Sequence, residues 1–221
     1  MKFFVLQNPK AGRGDAVTDY LPVDGSRTGD APRCPVCGNF LGMLPLVPPV
    51  RVEIEAWGSR WGDAAFGPSD QILVSDKLKK LFAEAGLVGF ERFDPVVIVK
   101  AKKRKPGAGD PPDYWLASIQ RSRAALDDSA SGLVRDEAPT CEECRIGGII
   151  KRTRRIVLQA NTWSGEDVFF ARGLPGTVLV SERFKHFCEA NDLANCFLVA
   201  AEDFSFDHYP QDRSAGGSSR H

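Results

Sequence analysis

ILVSDKLKKLFAEAGL occupies residues 72–87, and VLVSERFKHFCEANDL occupies residues 178–193. Leu73/Leu179, Val74/Val180, Ser75/Ser181, Lys79/Lys185 and Leu87/Leu193 are identical at a constant spacing of 106 residues. Ile72/Val178, Asp76/Glu182, Lys77/Arg183, Leu78/Phe184 and Leu81/Phe187 are conservative pairs. Each stretch starts as a short apolar run, which suits a buried strand. Ser75 and Ser181 then stand before an acidic residue. That is an N-cap hydroxyl followed by a carboxylate at the positive end of a helix. Leu78, Leu81, Phe82 and Ala85 recur at helical spacing, as do Phe184, Phe187 and Cys188. The pattern predicts one helix near 76–86, ended by Gly86, and a second near 182–191.

A second block keeps nearly the same spacing. Cys34-Pro35-Val36-Cys37 lies 107 residues before Cys141-Glu142-Glu143-Cys144, and Ala-Pro precedes both at 31–32 and 138–139. Phe3-Phe4-Val5 finds a weaker counterpart in Tyr114-Trp115-Leu116. Two blocks in register are the mark of an internal repeat. The expected fold is therefore α+β: two tandem pseudo-symmetric repeats of antiparallel strands plus one helix each, with zinc-ribbon-like CxxC turns. Repeat 1 spans 1–111 and repeat 2 spans 112–212, with the Pro- and Gly-rich stretch 106–112 as the joint. The Ser/Gly-rich tail 213–221 is expected to be disordered. Arg51–Ala56 alternates with period two, as a half-buried strand does, and Ile156–Ala160 is its expected partner in the second repeat. Val96–Val99 and Phe197–Val199 read as buried strands.

Six cysteines are present, four of them in the two CxxC pairs. Two intervening residues let a tight turn aim both sulfurs at one ion, and four thiolates satisfy tetrahedral zinc. One structural zinc per chain is expected, held by Cys34, Cys37, Cys141 and Cys144. The 103 residues between Cys37 and Cys141 fit no compact zinc ribbon. A redox dithiol is the competing reading. Thioredoxin-type pairs sit where a strand feeds a helix, and neither Gly38-Asn39 nor Arg145-Ile146-Gly147-Gly148 starts one. Cys188 and Cys196 read as small buried hydrophobes.

The 221 residues are 43% hydrophobic and 26% charged, with zero formal net charge. That is an ordinary globular composition, with no global field toward nucleic acid or an anionic membrane. No stretch approaches the ~20 apolar residues that span a bilayer. Met1–Leu6 reads as a strand, not a leader, so a cytoplasmic location is expected. No nucleotide, metalloprotease or serine-hydrolase motif occurs. Gly12-Arg13-Gly14-Asp15 lacks the strand–turn–helix context of a phosphate loop. His186, His208 and His221 are scattered, and Asp127-Asp128, Glu142-Glu143 and Glu202-Asp203 read as solvated loops. No catalytic residue is expected. The runs Lys100–Lys105 and Lys151–Arg155 can neutralise phosphates, which keeps a zinc-ribbon nucleic-acid binder as the alternative. Aromatic interleaving is missing, so nucleic acid is the less favoured partner. Trp57, Trp61 and Trp163 are candidate anchors for a protein partner, though core packing suits at least two of them better.

The paired CxxC motifs, one per half, together with the start MKFFVLQ, resemble the myxobacterial double-CxxCG motif proteins. Cys34-Pro35-Val36-Cys37-Gly38 fits that motif; in the second copy Arg145 stands where glycine is expected. The resemblance implies a non-catalytic immunity protein of a polymorphic-toxin cassette, which binds and neutralises a cognate toxin. It does not say which surface binds.

Overall fold

The computed structural model describes residues 1–9, 14–23, 25–107 and 109–207. Gly12-Arg13, His208, His221 and the tail from 213 lie outside them. In chain order the elements begin with β1 (Phe3–Gln7), β2 (Thr18–Pro22), β3 (Arg27–Thr28), β4 (Leu46–Val47), β5 (Val50–Ala56), β6 (Ala64–Ala65) and β7 (Ile72–Ser75). Then come α1 (Asp76–Glu84), β8 (Phe90–Lys103), β9 (Tyr114–Ala125), β10 (Val134–Arg135), β11 (Ile150–Thr153) and β12 (Val168–Arg172). The order closes with β13 (Val178–Ser181), α2 (Glu182–Ala190), β14 (Phe197–Ala200) and β15 (Phe206–Asp207). The protein is thus mixed α+β and mostly strand. Among the described residues no helix is long and apolar enough to cross a membrane.

Both helices start where the sequence places them. Ser75 Oγ accepts the Leu78 N–H at 3.1 Å, and Ser181 Oγ accepts the Phe184 N–H at 3.1 Å. Each capping side chain satisfies one of the helix's unpaired first-turn donors. The two apolar stripes meet over one core, with Phe82 6.2 Å from Phe184 and 6.3 Å from Phe187, ring centre to ring centre. Cys188 is buried in that core and Cys196 packs against it.

The main sheet runs β14-β1-β13-β12-β9-β8-β5-β2, with β7 also on β9 and β6 on β7. The two halves interleave. β1 lies between β13 and β14, so that Phe4 faces Val180 on one side and Ala200 on the other. The start of β9 lies between β7 and β8, with Trp115 facing Val74 and Pro95. Opening strands at 3–5 and 114–116 therefore occupy like places, and each joins strands of the other stretch. The main sheet therefore draws on both stretches, while the small sheets β3-β4 and β10-β11-β15 each lie within one.

Three strand expectations need correction. The sheet is not wholly antiparallel: β5 runs parallel to β8, and β12 parallel to β9. Side-chain alternation reports burial, and pairing direction follows from how distant segments dock. Ile156–Ala160 forms no strand; only Leu158 bridges, to Leu126. Neither Val96–Val99 nor Phe197–Val199 is a fully buried run, since Val97 is 54%, Val99 40% and Phe197 49% exposed. β8 leaves β9 after Pro95 and continues alongside β5, one face packed and the other wet. Arg92–Pro95 borders β9 as Phe197–Ala200 borders β1.

Candidate metal centre

Two turns of the same construction meet at one point. Gly38 N–H donates to the Cys34 carbonyl at 2.9 Å, and Arg145 N–H donates to the Cys141 carbonyl at 2.8 Å. Closing such a turn places the residue after each pair in the left-handed region, with φ +76° at Gly38 and +54° at Arg145. Glycine enters that region without strain, and a residue with a Cβ does not. The Arg145 guanidinium reaches back to Glu142 at 3.1 Å.

Adjacent strands bring the turns together. In the parallel pair β9–β12, Arg121 stands opposite Phe170. Arg121 reaches the Leu41 carbonyl, just beyond the first turn, at 3.4 Å. From β12, Arg172 reaches the Glu143 carbonyl at 3.4 Å, and Gly173 N–H donates to the Cys144 carbonyl at 2.9 Å. The sheet crossing that the sequence did not reveal is what aligns the two cysteine pairs.

Cys34 Sγ lies 3.9 Å from Cys141 Sγ, and Cys37 Sγ lies 3.7 Å from Cys144 Sγ. All four sulfurs fall within 4.8 Å of one another. Zinc–thiolate bonds of about 2.3 Å give a tetrahedron with edges of about 3.8 Å. The sulfurs are too far apart for a disulfide, which closes to about 2.05 Å. Cys34, Cys141 and Cys144 are buried, Cys37 is exposed, and Leu41 and Ile146 pack beside them. The quartet can hold one metal ion. The thiol environments differ. The N–H groups of Cys37 and Val36 pull Cys34 down to about 7. Burial pushes Cys144 up to about 12, against the Ile146 N–H. Cys37 is raised: the Asn39 N–H lowers it, but burial and the Cys34 thiol outweigh that. A cation would displace the protons these thiols keep. Arg121, Arg123 and Arg172 line the cleft beside Cys34 and Cys144, where positive charge offsets the surplus of four thiolates over one divalent ion.

The remaining candidates take structural roles. Lys100 and Lys102 face Glu53 at 3.9 and 3.5 Å, and Arg104 pairs with Glu55. Three of the five cations in the first basic run are thus spent on β5. In the second run, Arg155 donates to the Ala130 carbonyl at 2.9 Å. Asp127 caps the turn at Ala130, and Asp128 pairs with the nearly buried Arg135 at 3.2 Å. His186 is exposed on α2. Trp61 and Trp163 pack against cores, and Trp57 donates to Asp19 at 2.9 Å.

Sequence reasoning missed Asp63, Asp167 and Asp70. Asp63 and Asp167 hold the two capping serines (Ser75 Oγ to Asp63 at 2.6 Å, Ser181 Oγ to Asp167 at 2.7 Å). Their own spacing of 104 residues was the available signal. Asp70 accepts the Met43 N–H at 2.7 Å and faces Arg121 at 3.6 Å.

Compared with known proteins, residues 60–203 match the sequence model of an immunity protein family, Imm11. Cys141 and Cys144 lie within the matched stretch; Cys34 and Cys37 precede it. No curated protein matches the chain.

Proposed function

The chain belongs to the Imm11 immunity protein family, and on that premise we propose that it binds one cognate toxin and neutralises it by contact, without chemistry of its own. Family membership carries this proposal. The described residues add support: Asp127, Asp128, Glu142 and three cations of the first basic run are engaged in turns and ion pairs. The resemblance to the double-CxxCG proteins of polymorphic-toxin cassettes gives the same function. Neutralisation would take place in the cytoplasm, where an incoming toxin meets its target.

Within this proposal Cys34, Cys37, Cys141 and Cys144 hold a single structural zinc. The ion closes no active site, since four protein thiolates leave no open position. It ties residues 1–111 to 112–212, two copies of one ancestral unit, across the 103 residues between Cys37 and Cys141. A zinc-ribbon nucleic-acid binder is less well supported, because Glu53 and Glu55 already neutralise much of the run from Lys100.

Co-expression with the toxin encoded in the neighbouring gene tests the function. Cells should survive, and the two proteins should co-purify. Protection should be stoichiometric, saturating near one chain per toxin, whereas an enzyme that modified the toxin would protect at a small fraction of that. Toxicity undiminished by excess chain, with no complex in the purified mixture, would defeat the proposal.

A further inference from the structure

From the first cysteine turn the chain runs on through a loop that ends at β4. Four of its nine residues from 36 to 44 are large, apolar and exposed: Val36 at 73%, and Phe40, Met43 and Leu44 each at 55%. Single exposed apolar side chains are ordinary on a surface. Four on one short loop form a patch that solvent disfavours. Among the described residues the other exposed large apolar positions include only one close pair, Val97 and Val99 on β8, and single ones such as Leu21, Ile149 and Phe197.

The loop is held firmly in this exposed conformation. Arg33 lies over the Phe40 ring, 3.9 Å from its centre. Asp70 accepts the Met43 N–H, and Arg121 donates to the Leu41 carbonyl. Gly42 sits so close to this Arg121–Asp70 pair that a Cβ there would lie 2.2 Å from both side chains. Cys34 and Cys37 fix the other end. An ordered patch loses little conformational freedom when a partner covers it, and Phe and Met are among the residues enriched at interfaces.

Charge identifies the partner surface. Beside Met43 opens a cleft of about 220 Å³ whose charged lining is Asp30, Asp70, Glu91, Arg92 and Arg121. Both arginines are committed, Arg92 to Asp94 at 2.7 Å and Arg121 to Asp70 at 3.6 Å. Asp30 and Glu91 have no ion pair among the described residues. We propose that the loop 36–44 and this cleft form the toxin-docking surface, taking a toxin face with an apolar centre and a lysine or arginine at its rim. This inference rests on the immunity reading and goes further by naming the surface.

The experiment measures binding of the toxin domain from the neighbouring gene to the zinc-loaded full chain and to three variants. Phe40→Asp/Met43→Asp removes the apolar centre and should weaken binding at least about a hundredfold, as loss of a central hot spot does. Asp30→Lys/Glu91→Lys should weaken it about tenfold or more, and most at low salt. Val97→Asp/Val99→Asp, on the exposed face of β8, should bind within about threefold of the natural chain. All three alter exposed side chains, and zinc content with thermal unfolding verifies folding. Full binding by the Phe40/Met43 variant, or greater loss from the β8 variant, would overturn the docking surface while leaving the immunity reading intact. A natural chain that binds no toxin would bring down both.

Discussion

Asp63 and Asp167 stand in the same relation to the two helices, and each joins one half of the chain to the other. Asp63 takes the Ser75 hydroxyl on one oxygen and the Ala194 N–H, beyond α2, on the other at 2.8 Å. Asp167 takes the Ser181 hydroxyl and the Val88 N–H, beyond α1, at 3.0 Å. A cation of the first helical turn faces each carboxylate, Lys77 at 3.8 Å and Arg183 at 3.2 Å. The cap of one helix is thus linked to the exit of the other, twice.

Removing either carboxylate strands a buried hydroxyl together with an N–H, buried at Ala194 and part-buried at Val88. Asp63→Ala and Asp167→Ala should each destabilise by about 2–4 kcal/mol, given about 1–3 kcal/mol per buried unsatisfied group. Asp167→Ala should be the more damaging, because its side chain is 2% exposed against 12% for Asp63. Urea unfolding of both variants measures this. A loss under about 0.5 kcal/mol, typical of a neutral surface change, would show that the link is unimportant.

The two cysteine turns differ in one residue that the backbone notices. Arg145 holds φ +54° without being glycine. Arg145→Gly should leave stability unchanged or raise it by about 1 kcal/mol, the scale of strain in the left-handed region. Its ion pair with Glu142, whose side chain is 95% exposed, offers little to lose. The converse change, Gly38→Ala, meets no atom within 4 Å and should cost about 1 kcal/mol from backbone strain alone. Paired thermal melts decide the matter; no loss from Arg145→Gly beside a loss from Gly38→Ala is expected, and a large loss from Arg145→Gly would contradict it.

The seat of the apolar loop gives a separable prediction. Gly42→Ala should push the ends of the Arg121 and Asp70 side chains off the loop while leaving all four cysteines in place. Amide exchange should rise across 39–45 and the zinc content should stay constant. Unchanged protection at Met43 would contradict the close packing at Gly42.

Metal affinity should depend steeply on pH. Cys144, pushed up to about 12, and Cys37, also raised, carry protons at neutral pH, while Cys34, near 7, is partly ionised. An incoming cation must displace at least two protons, so apparent affinity should rise about a hundredfold per pH unit near neutrality. Acidification therefore releases the ion. Competition against a chelator at several pH values measures the slope, and a flat profile would mean that the thiols are not the ligands.

The parts of the fold governed by short-range chemistry were legible in the sequence. Ser75 and Ser181 announce helices because a capping hydroxyl acts within three residues, and Cys34–Cys37 announces a turn because its geometry is local. The long-range parts were not. Nothing near Ile156–Ala160 reports that its neighbours leave only one bridge, at Leu158. Pairing direction in β9–β12 depends on segments that meet only after folding, although that pair positions Arg121 and Arg172 beside the four cysteines. Asp63 and Asp167 were overlooked because an isolated aspartate in a loop has no pattern of its own. Their role appears only once the serines they hold have been placed.

The most direct test of the shared centre is elemental analysis of the chain purified without chelator, beside its Cys34→Ser and Cys141→Ser variants. One zinc per natural chain is expected, with loss of the ion and of global stability in both variants, because a single ion holds turns from both halves. A natural chain without zinc, a chain with two ions, or a variant that keeps its ion and its stability would contradict it.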